Sequence, residues 1–469
     1  MKISSELIFY ILFLIFLAYF LLLIFYYFIL GIIALFEERR RAWEDSTEDY
    51  TSLSASSFTM PVSVIIPAHN EEDWIADCLQ SVLNLKYPEF EVIVVDDGST
   101  DKTLAILDSK LKLQPIDKVY VERFKSGEIR EIFKSMADAR VTVINKVGGY
   151  KKAGAVNAGL NLAKYKYVCV MDADTVLEPD SLLRVMAHVQ KDPDHIIGIG
   201  GYFGLANGFK IKDGRILERN FCQSPLITYQ SLEYLRSFII NRTAWSKFNA
   251  MPNVAGGFGV WRRDILLELG GYAVDFSSED IEFTFRAHDY IIENKKEGDK
   301  IIMLPYYVGW TEGPATIKSY ILQRDRWQRV INETIWKYRH MILSPKHKIF
   351  AFLTLPYYLF YEVLGVFFEI ASVALVIWGF LAGVLTVKTF LAYFTLMILL
   401  QALVSLLAIF AFNRDQKLFR LRDITYFIIL SFMEFFWYKW LMSFAKCSGT
   451  LNYFRGVRIY DKYERVKRV

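Results

Sequence analysis

The chain is poor in cysteine and nearly balanced in charge. Its 469 residues include four cysteines, Cys78, Cys169, Cys222 and Cys447, which lie far apart and form no CxxC pair. This spacing argues against a disulfide framework and a cysteine-based zinc site, and it is typical of a reducing compartment. The net charge of +4 is too small to indicate a nucleic-acid partner. A phosphate loop of the Walker type is also missing, so the sequence does not support ATP hydrolysis.

Charged residues are absent from 7–36, which is the longest uncharged apolar run. A helix of about thirty residues spans roughly 45 Å, more than the roughly 30 Å hydrocarbon core requires. No small-residue cleavage site follows, so we expect an uncleaved anchor. The sequence EERRR at 37–41 predicts that the next part of the chain is cytoplasmic.

The remaining chain divides by composition into segments with different expected environments. We expect a transmembrane anchor at 1–41, a polar linker at 42–60, one α/β domain at 61–315, an amphipathic interfacial helix at 316–348, a membrane region at 349–444 and a basic cytoplasmic tail at 445–469. Treating 424–444 as re-entrant or interfacial keeps the basic tail inside and gives three spans.

Short, β-branched apolar runs predict the strands of the α/β domain. They are VSVIIPA (62–68), EVIVVDD (91–97), VTVINK (141–146) and YVCVMDAD (167–174). Such runs suit strands that are covered on both faces of a mainly parallel sheet. Helical patterns between them indicate a doubly wound α/β fold. Two of the runs end in acidic residues, at the edge of the sheet where such folds bind ligands.

Each acidic cluster also has an ordinary structural explanation. DDGSTD (96–101) and SSED (277–280) could each be a helix N-cap, and an isolated DAD (172–174) is common by chance. Two carboxylates at alternate positions can also meet one hard cation, which offsets negative charge on a leaving group. In combination, the three clusters favour a nucleotide pair, a metal pair and a later acid that acts as a base.

Taken in order, the motifs resemble the membrane-embedded, processive branch of glycosyltransferase family 2. That branch includes poly-N-acetylglucosamine, cellulose, hyaluronan and chitin-oligomer synthases. The resemblance rests on VSVIIPAHNEE (62–72), VVDDGSTD (94–101), KAGAVNAGL (152–160), DADT (172–175), SED (278–280) and QRDRW (323–327). It implies a cytosolic domain of the GT-A type with transmembrane helices at both ends, in a multi-pass protein of the plasma membrane.

The resemblance also implies which residues bind the donor. The side chains expected to line the nucleoside pocket are Pro67, Glu71, Asp96 and Asp97. Lys152 would approach the nucleotide or its diphosphate. Asp172 and Asp174 would hold Mg²⁺ or Mn²⁺ on that diphosphate.

On the acceptor side, the resemblance makes Asp280 the general base that takes the proton of the acceptor hydroxyl. In QRDRW, Arg326 would meet the departing diphosphate, Trp327 would stack under the acceptor sugar, and Gln323 would hydrogen-bond near it. From composition alone, the same segment is an amphipathic helix with basic residues toward lipid headgroups.

The expected activity is that of a hexosyltransferase that inverts the configuration of the transferred sugar. It would move the sugar from a UDP-sugar, UDP-N-acetylglucosamine or UDP-glucose, to the growing end of a β-linked polysaccharide. Single addition to a lipid-linked or short oligosaccharide is the alternative, and a non-enzymatic transporter or receptor is a third. The expected partners are the sugar nucleotide, the acceptor and the bilayer, with a homodimer or a partner subunit left open and no nucleic acid.

Two further patterns concern the membrane side. Gln230, Glu233 and Arg236 lie at helical spacing and could support the acceptor side, although a salt-bridged face within one helix is the favoured interpretation. Glu362 and Glu369 interrupt an apolar run, which marks a polar path or a charged partner.

Overall fold

The computed structural model describes residues 5–294, 298–416 and 418–457. Contacts divide the chain into two compact units. What we call the membrane unit comprises the described parts of Met1–Arg40, Phe221–Trp245 and Pro314–Arg465, and the sheet unit comprises Arg41–Asn220 and the described parts of Ser246–Gly313.

Every described strand lies in the sheet unit. The strands are β1 (Val62–Ala68), β2 (Phe90–Asp97), β3 (Leu113–Pro115), β4 (Ile129–Ser135), β5 (Val141–Lys146), β6 (Tyr167–Met171), β7 (Val176–Leu177), β8 (Ile196–Leu205), β9 (Lys210–Lys212), β10 (Arg215–Glu218), β11 (Phe258–Arg262) and β12 (Lys300–Thr311).

Ten of these strands form one mixed sheet, in the order β3-β4-β5-β2-β1-β6-β11-β8-β12-β7. The central run β5-β2-β1-β6 is parallel, as is the pair β8-β12, and the other pairings are antiparallel. All residues of β1, β6 and β8 are buried, so both faces of the sheet are covered at its centre. This confirms the strand prediction, because only continuously apolar strands tolerate such burial.

Helices occur in both units and form most of the membrane unit. The α-helices are α1 (Ser5–Ser46), α2 (Tyr50–Ala55), α3 (Ile75–Leu83), α4 (Thr103–Leu111), α5 (Lys151–Leu162), α6 (Ser181–Lys191), α7 (Pro225–Leu235), α8 (Thr243–Lys247), α9 (Arg263–Glu268), α10 (Glu279–Glu293), α11 (Ile317–Lys337), α12 (Leu355–Tyr357), α13 (Gly365–Leu381), α14 (Val387–Gln416), α15 (Leu421–Met433) and α16 (Tyr438–Phe454). Short π-helical segments cover Arg236–Arg242, Phe350–Thr354 and Tyr358–Val363, and short 3₁₀ segments cover Arg339–Met341, Pro345–His347 and Glu434–Phe436.

Small residues let α5 lie close to the centre of the sheet. A Cβ on Gly159 would come within 2.5 Å of the Ile65 side chain in β1, so this helix can approach β1 only with glycine there. The packing fixes the N-terminal turn of α5, which carries Lys152, relative to the carboxyl ends of β1 and β2.

Strand pairing brings distant parts of the chain to one edge of the sheet. Parallel β2 and β5 pair Asp97 with Lys146 at their carboxyl ends. Antiparallel β11 pairs Phe258 with Met171, the last residue of β6. The residues just before β11 therefore lie beside Asp172, the residue just after β6.

The membrane unit contains helices of the length and composition that a bilayer requires. The segments Glu6–Ser46 and Val387–Phe412 are each long and apolar enough to cross. Two bent helix pairs, Phe350–Val363 with Gly365–Leu381 (48°) and Leu421–Phe436 with Tyr438–Phe454 (55°), raise the possible number of spans among the described residues from two to four. The chain is therefore a membrane protein, and the predicted count of three falls inside this range.

Among the described residues, interhelical ion pairs neutralise carboxylates in the apolar C-terminal segments. Glu362 pairs with Lys446 (2.7 Å) and Glu369 with Lys439 (3.2 Å). Glu434 accepts two hydrogen bonds of 2.7 Å from Arg236. This last contact corrects the expectation of a salt-bridged face within one helix, since Arg236 pairs with a residue nearly two hundred positions away.

The structure also differs from several expected segment boundaries. Helix α1 continues to Ser46 and α2 follows at Tyr50–Ala55, inside the predicted linker. Asp45, near the end of α1, forms an ion pair with Arg184 (3.3 Å), which holds this end of the helix in place. Helix α11 ends at Lys337, short of the predicted limit of 348, and α16 extends through Phe454 into the predicted tail. Residues 458–469 of that tail lie outside the described residues.

Candidate active site

A lysine links the acidic residues at the carboxyl edge of the sheet. The Nζ atom of Lys152 lies 2.7 Å from Asp172 Oδ1 and 2.8 Å from Glu279 Oε1, and it donates to the carbonyl of Gly256 at 3.0 Å. Burial acts to lower the pKa of Lys152, but the charges of Asp172, Glu279 and Asp280 together outweigh it and raise that pKa well above its ordinary value. The lysine therefore stays charged and holds these groups together.

Asp280 stands in the first turn of α10 with its carboxylate held by several donors. Oδ1 accepts from the Ser278 hydroxyl and the Ile281 N–H, both at 2.8 Å, and Oδ2 accepts from the Gly256 N–H at 2.9 Å. A contact from the Asn253 amide is longer, at 3.5 Å. Ser278 occupies the N-cap position of α10 but makes no side-chain cap bond, so the capping explanation of SSED is wrong for Ser278.

Gly256 sits at the centre of this cluster and leaves no room for a side chain. A Cβ there would lie 2.6 Å from Lys152 Nζ and 3.3 Å from the nearest carboxylate oxygens of Asp280 and Glu279. The backbone of Gly256 meanwhile accepts from Lys152 and donates to Asp280. The glycine therefore lets the main chain pass between a cation and an acid.

Asp172 and Asp174 form the part of the site with the chemistry of a metal ligand pair. Burial raises the pKa of Asp172 against the attraction of Lys152, and the charge of Asp174 adds to the rise. Asp174 Oδ1 accepts from the Thr311 hydroxyl at 3.2 Å. Carboxylate oxygens that repel one another suit a hard divalent cation, which prefers oxygen ligands, so these two residues fit the expected Mg²⁺ or Mn²⁺.

Another acidic group lies at the ends of β1 and β2. Asp97 forms a buried ion pair with Lys146, and Asp96 accepts from the Ser99 N–H at 3.3 Å. Burial raises the pKa of Asp96, although hydrogen bonds from Ser99 oppose the rise. Glu71 follows β1 and is buried, as is Pro67 within the strand.

The two acidic groups share one edge of the sheet because their strands are parallel. Strand β2 is separated from β6 by β1 alone. Strands are spaced about 4.8 Å apart, which puts Asp97 and Asp172 roughly 10 Å from each other along the edge. A ligand that touches both groups must be extended.

The QRDRW segment lies in α11 of the membrane unit, where much of it is packed into protein. Gln323, Arg324 and Asp325 are buried, while Arg326 and Trp327 are half-buried. Asp325 pairs with Arg329 (2.8 Å) and accepts from two side chains of α16. These buried contacts differ from the amphipathic interfacial helix expected from composition, which would turn its basic residues to lipid headgroups. How Gln323, Arg326 and Trp327 relate to the acidic cluster stays a prediction.

Sequence reasoning did not single out several residues that build the cluster. Glu279 belongs to the SED motif, in which the resemblance implies a role for Asp280 alone. Gly256 lies outside the motifs that carry the resemblance. Lys146, which is fully buried and neutralises Asp97, ends a predicted strand, and a lysine at such a position is the signal that could have been noticed.

Comparison with known families identifies the class of protein. Residues 63–270 match the family model described as Glycosyl transferase family 2, and residues 167–413 match the one described as Glycosyl transferase family group 2. The second match alone covers more than half of the chain, so the chain belongs to family 2 of the glycosyl transferases. The resemblance and the expectation of an enzyme are thereby confirmed.

The individual relatives share little more than a quarter of their aligned residues with this chain. The chain is 27% identical over 274 residues to a protein of Staphylococcus epidermidis named poly-beta-1,6-N-acetyl-D-glucosamine synthase, which covers 58% of this chain and 55% of that synthase. It is 28% identical over 348 residues to the probable glycosyltransferase YdaM of Bacillus subtilis, covering 71% and 72% of the two chains. The match therefore spans only about half the length of the synthase.

A solved structure supports the fold. The mannosyltransferase PcManGT from Pyrobaculum calidifontis, determined in complex with GDP-Man and Mn²⁺, superposes with a TM-score of 0.53 at 18% identity. The match covers 91% of this chain and 99% of that one. Together with the sheet order and the apolar helices, this likeness confirms the predicted fold class, a GT-A type α/β domain with candidate transmembrane helices toward both ends.

Proposed function

We propose that this protein transfers a sugar from a UDP-sugar, with UDP-N-acetylglucosamine as the preferred donor, to the end of a β-linked polysaccharide at the membrane. The observation that carries the proposal is the cluster in which Lys152 bridges Asp172 and Glu279 beside Asp280. The choice of donor draws on the relative named poly-beta-1,6-N-acetyl-D-glucosamine synthase. We place the site on the cytoplasmic side of the plasma membrane, as the basic run at 37–41 favours.

In the proposed reaction, an acceptor hydroxyl oxygen attacks C1 of the donor sugar. The bond from C1 to the diphosphate oxygen breaks with its electron pair, and the hydroxyl proton passes to Asp280. A hydroxyl attacks poorly unless a base takes its proton as the bond forms. One displacement without a covalent intermediate inverts the anomeric centre, so an α-linked donor gives a β-linked product.

The hydrogen bonds of Asp280 support its assignment as the base. A carboxylate has about four acceptor sites, and three are used by the contacts of 2.8–2.9 Å from Ser278, Ile281 and Gly256. The acceptor hydroxyl would take the remaining site, where the 3.5 Å contact from Asn253 is easily replaced. The three short contacts hold the carboxylate in one orientation while it waits for its proton.

Negative charge develops on the leaving diphosphate, and several groups are assigned to it. Asp172 and Asp174 would hold Mg²⁺ or Mn²⁺, which when bound supplies positive charge to the diphosphate oxygens. The relative from Pyrobaculum calidifontis was solved with Mn²⁺ and a sugar nucleotide. Arg326 would add a cation, since its side chain has no ion pair within the part of the chain that the structure describes. Lys152 already lies between Asp172 and Glu279.

Pro67, Glu71, Asp96 and Asp97 are proposed to line the nucleoside side of the same edge. The position of Asp97, roughly 10 Å from Asp172 along the edge, matches an extended ligand whose base and diphosphate lie apart. Gln323 and Trp327 are proposed to bind the acceptor sugar.

A single-addition enzyme is the second candidate function. The observation in its favour is the small membrane part, because two helices of the described residues qualify as spans when the bent pairs are not counted. A long polymer then needs a second copy or a partner subunit to leave the cell. Such an enzyme would act on a lipid-linked or short oligosaccharide acceptor.

One experiment tests both proposals. Purified protein in detergent or nanodiscs receives radiolabelled UDP-N-acetylglucosamine, a divalent metal and a short β-1,6-linked N-acetylglucosamine acceptor, and the product is sized by gel filtration. Products many sugars long support processive synthesis, and addition of one sugar supports the alternative. Absence of transfer from UDP-N-acetylglucosamine, with transfer from UDP-glucose, would overturn the choice of donor.

A further inference from the structure

Arg324 in the membrane unit contacts two side chains that the proposed function assigns to the acceptor. Its guanidinium lies over the Trp327 ring, with the central carbon 4.1 Å from the ring centroid. It also donates to the side-chain oxygen of Gln323. Arg324 itself is only 3% exposed.

The contact with Gln323 fixes how its amide points. A guanidinium has only donors, so it can meet the oxygen of the amide but not its nitrogen. The oxygen is therefore directed at Arg324, and the NH₂ group is directed away as a donor.

The contact with Trp327 fixes the ring in a similar way. A cation over an aromatic face is attracted to the ring quadrupole, more strongly when it is shielded from water. Tyr234 of α7 adds a near-parallel ring at a centroid distance of 6.4 Å and an interplanar angle of 28°. The guanidinium also stacks on Tyr320 at 4.8 Å, one turn earlier in α11.

Arg324 is held in place by an ion pair between helices. Its Nη2 lies 2.9 Å from Glu233 Oε2 of α7, and the same oxygen accepts from the Tyr438 hydroxyl of α16 at 2.8 Å. Burial acts to raise the pKa of Glu233, but the charge of Arg324 and hydrogen bonds from Arg324 and Tyr438 outweigh it and lower that pKa. Glu233 is therefore ionised at neutral pH and anchors the arginine.

We propose that Arg324 is a positioning residue for the acceptor: it orients the Gln323 amide and holds the Trp327 ring, and Glu233 holds Arg324 in turn. The proposal rests on the proposed function, because it takes Gln323 and Trp327 as the groups that meet the acceptor sugar. If Arg324 served only to join α7 and α11, its contact with Glu233 would be enough. Arg324 also contacts Gln323 and Trp327.

Replacing arginine by lysine separates positioning from structural support. Arg324→Lys keeps a charge that can pair with Glu233, but one ammonium cannot at once stack on Trp327 and donate to Gln323. We expect the acceptor KM to rise roughly tenfold, since the lost contacts involve a desolvated cation–π pair and a charged hydrogen bond. The KM for UDP-N-acetylglucosamine and the melting temperature should stay near the wild-type values.

Arg339→Lys is the matched control. Arg339 also lies over a tryptophan of the same region, Trp336, at 5.1 Å, but both residues are exposed and neither belongs to the motif. This variant should leave the KM values and the melting temperature of the protein unchanged. An Arg324→Lys variant whose acceptor KM equals that of the control would overturn the proposal, and so would equal changes in the donor and acceptor KM values.

Measuring acceptor binding in the absence of the donor distinguishes a failure of the positioning role from a failure of the proposed function. The probe is a β-1,6-linked N-acetylglucosamine tetrasaccharide, and its Kd is measured by titration calorimetry on the full chain in nanodiscs. If the wild type binds the tetrasaccharide but transfers no sugar, the proposed function fails while the weaker binding expected of Arg324→Lys is still measurable. If the wild type transfers sugar and Arg324→Lys binds the tetrasaccharide as tightly, the positioning role alone fails.

Discussion

Replacing Asp280 by asparagine removes the proposed base and leaves the size of the side chain unchanged. Every short contact to the carboxylate comes from a donor: the Ser278 hydroxyl, the Ile281 N–H and the Gly256 N–H. The NH₂ group of asparagine must then face a backbone N–H in either orientation. One unsatisfied contact of this kind costs about 1–3 kcal/mol.

The expected loss of activity is larger than this effect on stability. A positioned general base contributes typically 10²–10⁴-fold to the rate, which corresponds to about 3–5 kcal/mol of transition-state stabilisation. We therefore expect kcat of Asp280→Asn to fall at least a hundredfold, with a donor Kd that stays within a few-fold of the wild type. The assay is release of UDP from saturating UDP-N-acetylglucosamine in the presence of acceptor.

Asp264→Asn is the control for the local structural change. Asp264 lies in the first turn of α9 and also accepts from the N–H of the next residue, Ile265, at 2.9 Å. It accepts from Arg262 as well, outside the acidic cluster. If Asp280→Asn keeps more than about a tenth of the kcat measured for this control, a contribution of the size typical of a general base is ruled out and the assignment is wrong.

Three further outcomes follow from the structure. Removal of divalent metal with EDTA should abolish transfer and added Mg²⁺ or Mn²⁺ should restore it. Asp174→Asn should raise the metal concentration for half-activity about tenfold or more, because a neutral amide replaces a charged carboxylate ligand. Gly256→Ala should lower kcat roughly ten- to a hundredfold with little change in melting temperature, since its Cβ displaces the flexible end of Lys152, 2.6 Å away. Glu434→Gln should destabilise the membrane unit by about 3–5 kcal/mol, because it leaves the largely buried Arg236 without its ion pair; thermal unfolding in detergent measures this.

Each of these outcomes has its own control and its own contradiction. Gly31→Ala is the control for Gly256→Ala, because its Cβ meets only an ordinary contact of 3.6 Å, and it should leave kcat unchanged. If Gly256→Ala kept the wild-type kcat, the position of Lys152 would not matter for the reaction. Glu218→Gln removes an ion pair with Lys210 that is exposed on both sides and should not change stability. An equal melting temperature for Glu434→Gln would mean that the Arg236 pair adds no stability. Full activity after exhaustive chelation would exclude the metal.

The centre of the sheet could be predicted from the sequence because burial on both faces leaves a direct signal. The run 62–68 coincides with β1 and the run 141–146 with β5, and both are rich in β-branched apolar residues. The antiparallel strand β11 gives a weaker signal, since FGVWR contains a glycine and an arginine. Its neighbours β6 and β8 are also far away in sequence, so no local pattern encodes the pairing.

The acids of the site could be found one at a time, but their contacts could not. Asp172 and Asp280 stand out because each belongs to a short acidic motif at the end of a predicted element. The link between Lys152 and Glu279 depends on the register of β6 against β11 and on the packing of α10, which are set by tertiary structure. Likewise, the ion pair of Arg324 with Glu233 joins two helices, and helical spacing predicts contacts only within one.

The most direct test of the account is UDP release by the purified chain, measured with UDP-N-acetylglucosamine, Mn²⁺ and a β-1,6-linked acceptor, beside Asp280→Asn and Asp264→Asn. The account predicts that release depends on the acceptor and the metal, persists in Asp264→Asn and falls at least a hundredfold in Asp280→Asn. Equal release by the wild type and Asp280→Asn would contradict the central claim that the cluster around Lys152 carries out sugar transfer.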